Sequence, residues 1–178
     1  MVATQPRPRA GPEHRRPLSR GSGHGHAGVM SARLKGRRRE VEKLVGAVGA
    51  WAAARGDVAA FGVVGSYASR RAGMGSDVDC LLLTSNPELY GTWMGDSSPL
   101  APAQLIRHQQ WGPVTEWRFR RPSGLHVEFN VATPSWADVS PLDPGTARVV
   151  RDGLQIVYDP AALLARARSL VATTDGSC

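Results

Sequence analysis

The chain has 178 residues and a formal net charge of +7, which is enough length for one domain with a sizeable core. Its two cysteines, Cys80 and Cys178, provide neither a disulfide framework nor the spacing of a zinc site. The sequence contains no run of about 18 uncharged apolar residues and no apolar segment after its N-terminal arginines, so it predicts neither a membrane span nor a secretion signal. These features favour a reducing, cytoplasmic location.

The positive charge is concentrated at the N-terminus. Residues 1–40 contain ten Lys or Arg and two acidic residues, whereas residues 41–178 contain twelve Lys or Arg and thirteen acidic residues. The high pI is therefore a property of one segment, and nucleic acid is not an expected partner of the whole chain. Residues 1–30 have few large apolar side chains and are predicted to form a disordered basic arm. A tail that contacts nucleic acid, and a start of translation at Met30, are alternatives.

The first predicted helix covers residues 31–55. Its apolar residues recur at the spacing of one helix face, and its charged residues fill the other face. Residues 58–64 and 79–84 are then two apolar runs, each of the length of a strand. The apolar stripe of the helix comprises Leu34, Val41, Leu44, Val45, Val48 and Trp51.

The segment between these two strands carries the most informative residues. Gly65 and Ser66 follow the first strand directly, where they can turn the backbone and open a short helix that favours phosphate. Asp77 and Asp79 lie at the start of the second strand, and residues two apart on a strand point to the same face. Two adjacent carboxylates repel each other unless a cation lies between them, and carboxylate oxygens are ligands that suit Mg²⁺.

The remainder of the chain is predicted to alternate helices and strands. Residues 87–93 and 103–110 read as short helices, separated by a loop at residues 95–102. Residues 113–121 and 125–133 read as two strands of a hairpin. Further elements follow: a helix at residues 146–152, a strand at 153–159 and a helix at 160–171. A domain of residues 31–172 would then leave a frayed tail at residues 173–178.

The predicted hairpin adds a third acidic residue. On its second strand, Glu128 points away from the face of Val127 and Phe129. If residue 121 pairs with residue 125, Arg118 faces Glu128 and Glu116 faces Asn130 on the same side of the sheet. A structural salt bridge between Arg118 and Glu128 is the alternative to a functional role for this glutamate.

Gly65-Ser66 followed by Ser76-Asp77-Val78-Asp79 resembles the signature of the DNA polymerase β-type nucleotidyltransferase superfamily. The chain is similar in particular to small stand-alone bacterial members related to aminoglycoside nucleotidyltransferases and to the minimal nucleotidyltransferases of toxin–antitoxin pairs. The resemblance implies an α+β fold whose mixed or antiparallel sheet of four to five strands is flanked by helices on one face. It also implies transfer of a nucleoside monophosphate from ATP or another NTP to an acceptor hydroxyl, with release of pyrophosphate.

The resemblance further implies roles for individual residues. Asp77, Asp79 and Glu128 would hold Mg²⁺, and Glu116 is a candidate general base. A second set would contact the nucleotide phosphates or orient the first aspartate: Gly65, Ser66, Ser69, Arg70 and Ser76. The acceptor, a small molecule or a protein, is not identified, and a homodimer is allowed. The alternatives are an antitoxin-like domain that modifies or covers a partner protein, and an inactive binding module with the same fold.

Overall fold

The structure is a computed structural model that describes residues 24–90 and 98–175, with side chains described for residues 31–90 and 98–174. Within these residues one mixed sheet contains six strands, in the order β3-β4-β5-β2-β1-β6. The strands are β1 (Val58–Val64), β2 (Val78–Thr84), β3 (Gln104–Trp111), β4 (Val114–Arg120), β5 (His126–Ala132) and β6 (Leu154–Tyr158). The helices are α1 (His24–Ala53), α2 (Gly65–Ala68), α3 (Pro144–Asp152) and α4 (Leu163–Asp175), and two 3₁₀ turns cover Pro87–Leu89 and Pro134–Ala137.

The sheet is antiparallel except at its centre. β2 and β5 run parallel, whereas β1 with β2, β1 with β6, β3 with β4 and β4 with β5 are antiparallel pairs. The parallel pair brings the first residues of β2 and β5 to the same end of the sheet, next to the end of β1. The predicted α+β class is confirmed, although the sheet has six strands instead of four to five.

Helices cover both faces of the sheet, so the prediction of helices on one face was wrong. Val41, Leu44 and Val48 of α1 belong to a core cluster on one face, together with Phe61 of β1 and Phe129 of β5. On the other face, a second cluster packs α3 and α4 against β1 and β2. It includes Val150 of α3, Leu164 and Val171 of α4, Val64 of β1 and Leu81 of β2. The reason is that β1 and β2 are apolar on both faces, and such strands must be covered on both.

The segment at residues 103–110 is strand β3 and not the predicted helix. Gly112, just after this segment, has a φ of +54° and lies in the hairpin turn between β3 and β4. Most side chains of β3 are exposed because it is an edge strand, which leaves little apolar alternation for a sequence pattern to show.

The other elements lie close to their predicted positions. The hairpin of β4 and β5 has the predicted register, with Arg118 paired to Glu128 and Glu116 paired to Asn130. The last helix begins at Leu163 instead of residue 160. The Asp159 carboxylate accepts a hydrogen bond from the Leu163 N–H at 2.8 Å, at the start of this helix.

Several predicted segments extend beyond the described residues. These are residues 1–23 of the arm, residues 91–97 of the helix and loop after β2, and residues 176–178 of the tail. Residues 24–30 of the predicted arm form the start of α1, and residues 173–175 of the predicted tail form the end of α4. None of the helices in the described part of the chain has the length and apolar character needed to cross a membrane.

Candidate active site

The turn from β1 into α2 places the backbone of Gly65 against a carboxylate. Gly65 has a φ of +68°, and a Cβ added there would lie 2.8 Å from Oδ2 of Asp79. The Gly65 N–H donates to the carbonyl oxygen of Gly153 at 3.1 Å, which fixes the turn to the start of β6. Glycine is therefore required by both the backbone conformation and the approach of Asp79.

Asp79 and Glu128 are register partners on the parallel strands β2 and β5, and their side chains share one face of the sheet. The pKa of Asp79 is raised to about 7 by burial first, and then by the negative charge of Glu128, a hydrogen bond between the two carboxyl groups and the charges of Asp77 and Glu116. Burial also raises the pKa of Glu128, aided by the charge of Glu116 and opposed by Arg118. The site therefore favours a proton shared between Asp79 and Glu128.

Asp77 lies just before β2 and is linked to Glu128 by the side chain of Arg118. Arg118 on β4 forms an ion pair with Asp77 through one guanidinium nitrogen and contacts Glu128 at 3.2 Å through the other. Nδ1 of His126 lies 3.4 Å from Oδ1 of Asp77. Arg118 thus bridges two of the three predicted metal ligands, and the third, Asp79, is the register partner of Glu128.

Glu116 is held by a neighbouring set of contacts. Nε of Arg107 donates to its Oε1 at 3.0 Å, and Nε1 of Trp111 donates to its Oε2 at 2.8 Å. Arg107 also reaches Glu128 at 3.4 Å. Glu116 is only 5 % exposed, and both of its carboxylate oxygens accept hydrogen bonds, so in this arrangement it is a structural anchor for Arg107 and Trp111.

The remaining predicted nucleotide contacts are divided between several places. Oγ of Ser69 donates to the Gly65 carbonyl oxygen and accepts from Nε of Arg71, both at 2.9 Å. Oγ of Ser76 accepts from the Gly73 N–H at 2.9 Å, so it stabilises its own turn. Ser66 lies in α2 directly after Gly65, whereas Arg70 lines a cavity along the edge strand β6.

The chemistry of the donors suits a divalent cation, but their present pairing does not form a ready site. In the described part of the chain, no three His, Cys, Asp or Glu side chains are arranged as a group that could hold a metal ion. Asp77 and Glu128 are paired with Arg118 instead. Burial and the negative charges of Glu128, Asp77 and Glu116 raise the pKa of Asp79, and a bound divalent cation would relieve the repulsion between these charges.

Sequence reasoning missed two residues of the cluster. His126 lies two residues before Glu128 on the same strand, and the same period-two rule that selected Glu128 would have placed it on the same face. Arg107 could not be found in this way because its strand was predicted as a helix.

Comparison of the chain with protein-family models and with curated proteins found no match.

Proposed function

We propose that the protein is a divalent-cation-dependent nucleotidyltransferase that transfers a nucleoside monophosphate from an NTP, with ATP as the first candidate, to an acceptor hydroxyl. The observation that supports this proposal is the pairing of Asp79 with Glu128 on one face of the sheet, beside the turn at Gly65, with Asp77 linked to Glu128 through Arg118. The sequence pattern that resembles the nucleotidyltransferase superfamily is independent support. Fold alone would not carry the proposal.

The proposed reaction forms one bond and breaks one bond. The acceptor oxygen bonds to the α-phosphorus, the bond from that phosphorus to the α–β bridging oxygen breaks, and pyrophosphate leaves with the electron pair. The hydroxyl proton passes to solvent. Most of the rate in such transfers comes from positioning and from neutralising charge.

Asp77, Asp79 and Glu128 are the residues that would hold Mg²⁺, with Gly65 and Ser66 nearest to the triphosphate by their place in the motif. When bound, Mg²⁺ would neutralise charge on the phosphates and lower the pKa of the attacking hydroxyl. Gly65 keeps the space beside Asp79 free of a side chain. Arg118 and Arg107 neutralise the carboxylates in the absence of a cation, and Arg118 has to release Asp77 and Glu128 for these oxygens to become ligands.

The proposal is tested with ATP labelled at the α-phosphate, Mg²⁺ and a panel of acceptors that includes cell lysate. We expect labelled product with the wild type and at least a hundredfold less with Asp77→Asn/Asp79→Asn. The exposed Asp138 provides a matched control, and Asp138→Asn should retain the wild-type rate. Equal transfer by the wild type and the double variant would contradict the assignment.

A second candidate function, a binding module without catalysis, is favoured by the two arginines at the cluster. In that case Arg118 and Arg107 are permanent counter-ions of the carboxylates, and neither a divalent cation nor a nucleotide binds. Calorimetric titration of the protein with Mn²⁺ separates the two functions without knowledge of the acceptor. Binding that Asp79→Asn abolishes supports the enzyme, and no binding up to millimolar Mn²⁺ supports the module.

A further inference from the structure

A cavity of about 1030 Å³ lies along the outer edge of β6, away from the acidic cluster. We call it the β6-edge cavity. Four consecutive residues of β6, from Leu154 to Val157, line it together with residues of α1, α2 and α4. Successive strand residues point to opposite faces, so a cavity that all four line must lie at the edge of the strand, where the backbone itself is accessible.

The edge of β6 offers unpaired backbone groups. β6 is the last strand of the sheet and pairs only with β1. Among the described residues, no hydrogen bond from elsewhere in the chain reaches the backbone of residues 154–158. An extended segment from another molecule can pair with such an edge, and strand addition of this kind is a common mode of peptide recognition.

Three arginines from three different elements line the same cavity. They are Arg38 on α1, Arg70 after α2 and Arg168 on α4. None of their guanidinium groups makes a hydrogen bond or ion pair with the described part of the chain, whereas the adjacent Arg37 binds Glu40 and the adjacent Arg71 binds the Asp152 carbonyl oxygen. The acidic residue among those lining the cavity is Glu42, so the lining carries an excess of positive charge.

We propose that the edge of β6 is a docking site for an extended, acidic peptide segment of a partner protein. The peptide backbone would pair with the outer edge of β6, its carboxylates would meet Arg38, Arg70 and Arg168, and its apolar side chains would contact the wall formed by Val41 and Val45 of α1. The cavity volume matches a segment of a few residues, in the range of ordinary ligand sites. This docking function goes beyond nucleotidyl transfer, and Arg70 is the residue that it shares with the predicted nucleotide contacts.

Fluorescence anisotropy of a labelled Glu/Val hexapeptide, measured against the full chain without nucleotide or metal, tests the proposal. We expect saturable one-to-one binding, and at least tenfold weaker binding by a Lys/Val hexapeptide of the same length. A Glu/Val peptide with an N-methyl group at every residue keeps its charge but cannot donate strand hydrogen bonds from either edge, and it should also bind at least tenfold more weakly. Equal binding by the Lys/Val peptide or by the N-methylated peptide would overturn the proposal.

Two protein variants locate the site. Gly46 lines the cavity, and a Cβ there meets nothing within 4 Å, so Gly46→Leu should block the cavity without disturbing α1. Gly36→Leu, on the same helix and equally open, is the control and should bind like the wild type. Arg38→Gln/Arg70→Gln/Arg168→Gln should abolish peptide binding, and Arg33→Gln/Arg39→Gln/Arg148→Gln should not. Unchanged binding by both cavity variants would refute the location.

Discussion

Asp79 and Glu128 occupy directly paired positions on the parallel strands β2 and β5, and their carboxyl groups share a hydrogen bond. This register places the two residues on adjacent strands, about 4.8 Å apart, with both side chains on the same face of the sheet. Two half-buried carboxyl groups held in this way cannot both be ionised without a cost, unless a cation compensates the charge.

Asp79→Asn should therefore stabilise the metal-free protein at alkaline pH. The pKa of Asp79 is raised from its ordinary value of 3.8 to about 7. Its contribution to stability is thus fully present below pH 3.8 and is lost as the pH rises through 7. Asparagine imitates the protonated form, so the variant should be more stable than the wild type at pH 8 by roughly 2–4 kcal/mol and nearly equal to it at pH 4.

Urea denaturation of both proteins in EDTA, between pH 4 and pH 8.5, measures this difference. Asp138→Asn, which changes an exposed aspartate, should follow the wild type throughout. Stability curves for Asp79→Asn and the wild type that run parallel across the whole range would show that Asp79 is ionised normally.

Arg118→Gln should increase the affinity of the cluster for divalent cations. The guanidinium group of Arg118 pairs with both Asp77 and Glu128. Its Nε is buried without a hydrogen-bond partner among the described residues, so one donor of this group makes no hydrogen bond there. A divalent cation competes with it for the same oxygens. Removing the competing charge should lower the dissociation constant for Mn²⁺ at least tenfold, measured by electron paramagnetic resonance of free Mn²⁺.

Arg120→Gln is the control for that measurement. Arg120 lies two residues further along β4 and is exposed, so its removal should change the affinity for Mn²⁺ only slightly. If Arg118→Gln binds Mn²⁺ no better than the wild type, Arg118 is not in competition with a cation and the binding-module function gains support.

Local sequence patterns predicted the elements that build the site, because buried strands have strong apolar patterns. The segment of β1, Gly65 and β2 has apolar runs that the sequence displays directly, and the hairpin signal at residues 122–124 fixed the register that pairs Arg118 with Glu128. A period of two placed Glu128 on the face opposite Val127 and Phe129, and the parallel register of β5 with β2 puts that face on the side of Asp79.

The edge of the sheet could not be predicted in the same way. β3 exposes most of its side chains, and its apolar residues Leu105 and Ile106 are adjacent where a bulge interrupts the pairing with β4. The contact of Arg107 with Glu116 and Glu128 depends on this strand, so this counter-ion was hidden from sequence reasoning, whereas the pairing of Arg118 with Glu128 was not. Long-range ion pairs of this kind leave no periodic trace in a sequence.

Gly65→Ala should be much more costly than Gly112→Ala. Both glycines have positive φ, at +68° and +54°, so each alanine would suffer about 1 kcal/mol of backbone strain. Only at Gly65 does the added Cβ meet another group, Oδ2 of Asp79 at 2.8 Å, whereas nothing lies within 4 Å at Gly112. We expect an additional loss of about 1–2 kcal/mol for Gly65→Ala, measured by urea denaturation. Equal losses for the two variants would mean that the turn at Gly65 can move away from Asp79.

A cluster of Arg55, Asp57 and Tyr90 ties the end of α1 to the segment after β2. The buried Tyr90 donates its hydroxyl to the Asp57 carboxylate and accepts from Nε of Arg55 at 2.8 Å. Burial opposes ionisation of Asp57, but the hydrogen bonds from Tyr90 and Thr84 and the charge of Arg55 outweigh it and lower the pKa of Asp57. Tyr90→Phe removes the hydroxyl that bonds to Asp57 and Arg55, which should lower the free energy of unfolding by about 1–3 kcal/mol at pH 7.

The pH dependence distinguishes this contact from simple packing. A lowered pKa means that the stabilisation from Asp57 is present above pH 3.8 and is lost as the pH falls below that value, so the gap between the wild type and Tyr90→Phe should narrow at pH 3.5. Tyr158→Phe, which removes a hydroxyl from the half-buried end of β6, should show a small loss that does not vary with pH. A gap for Tyr90→Phe that stays constant from pH 7 to pH 3.5 would instead attribute the loss to the tyrosine hydroxyl alone, with no contribution from the charge of Asp57.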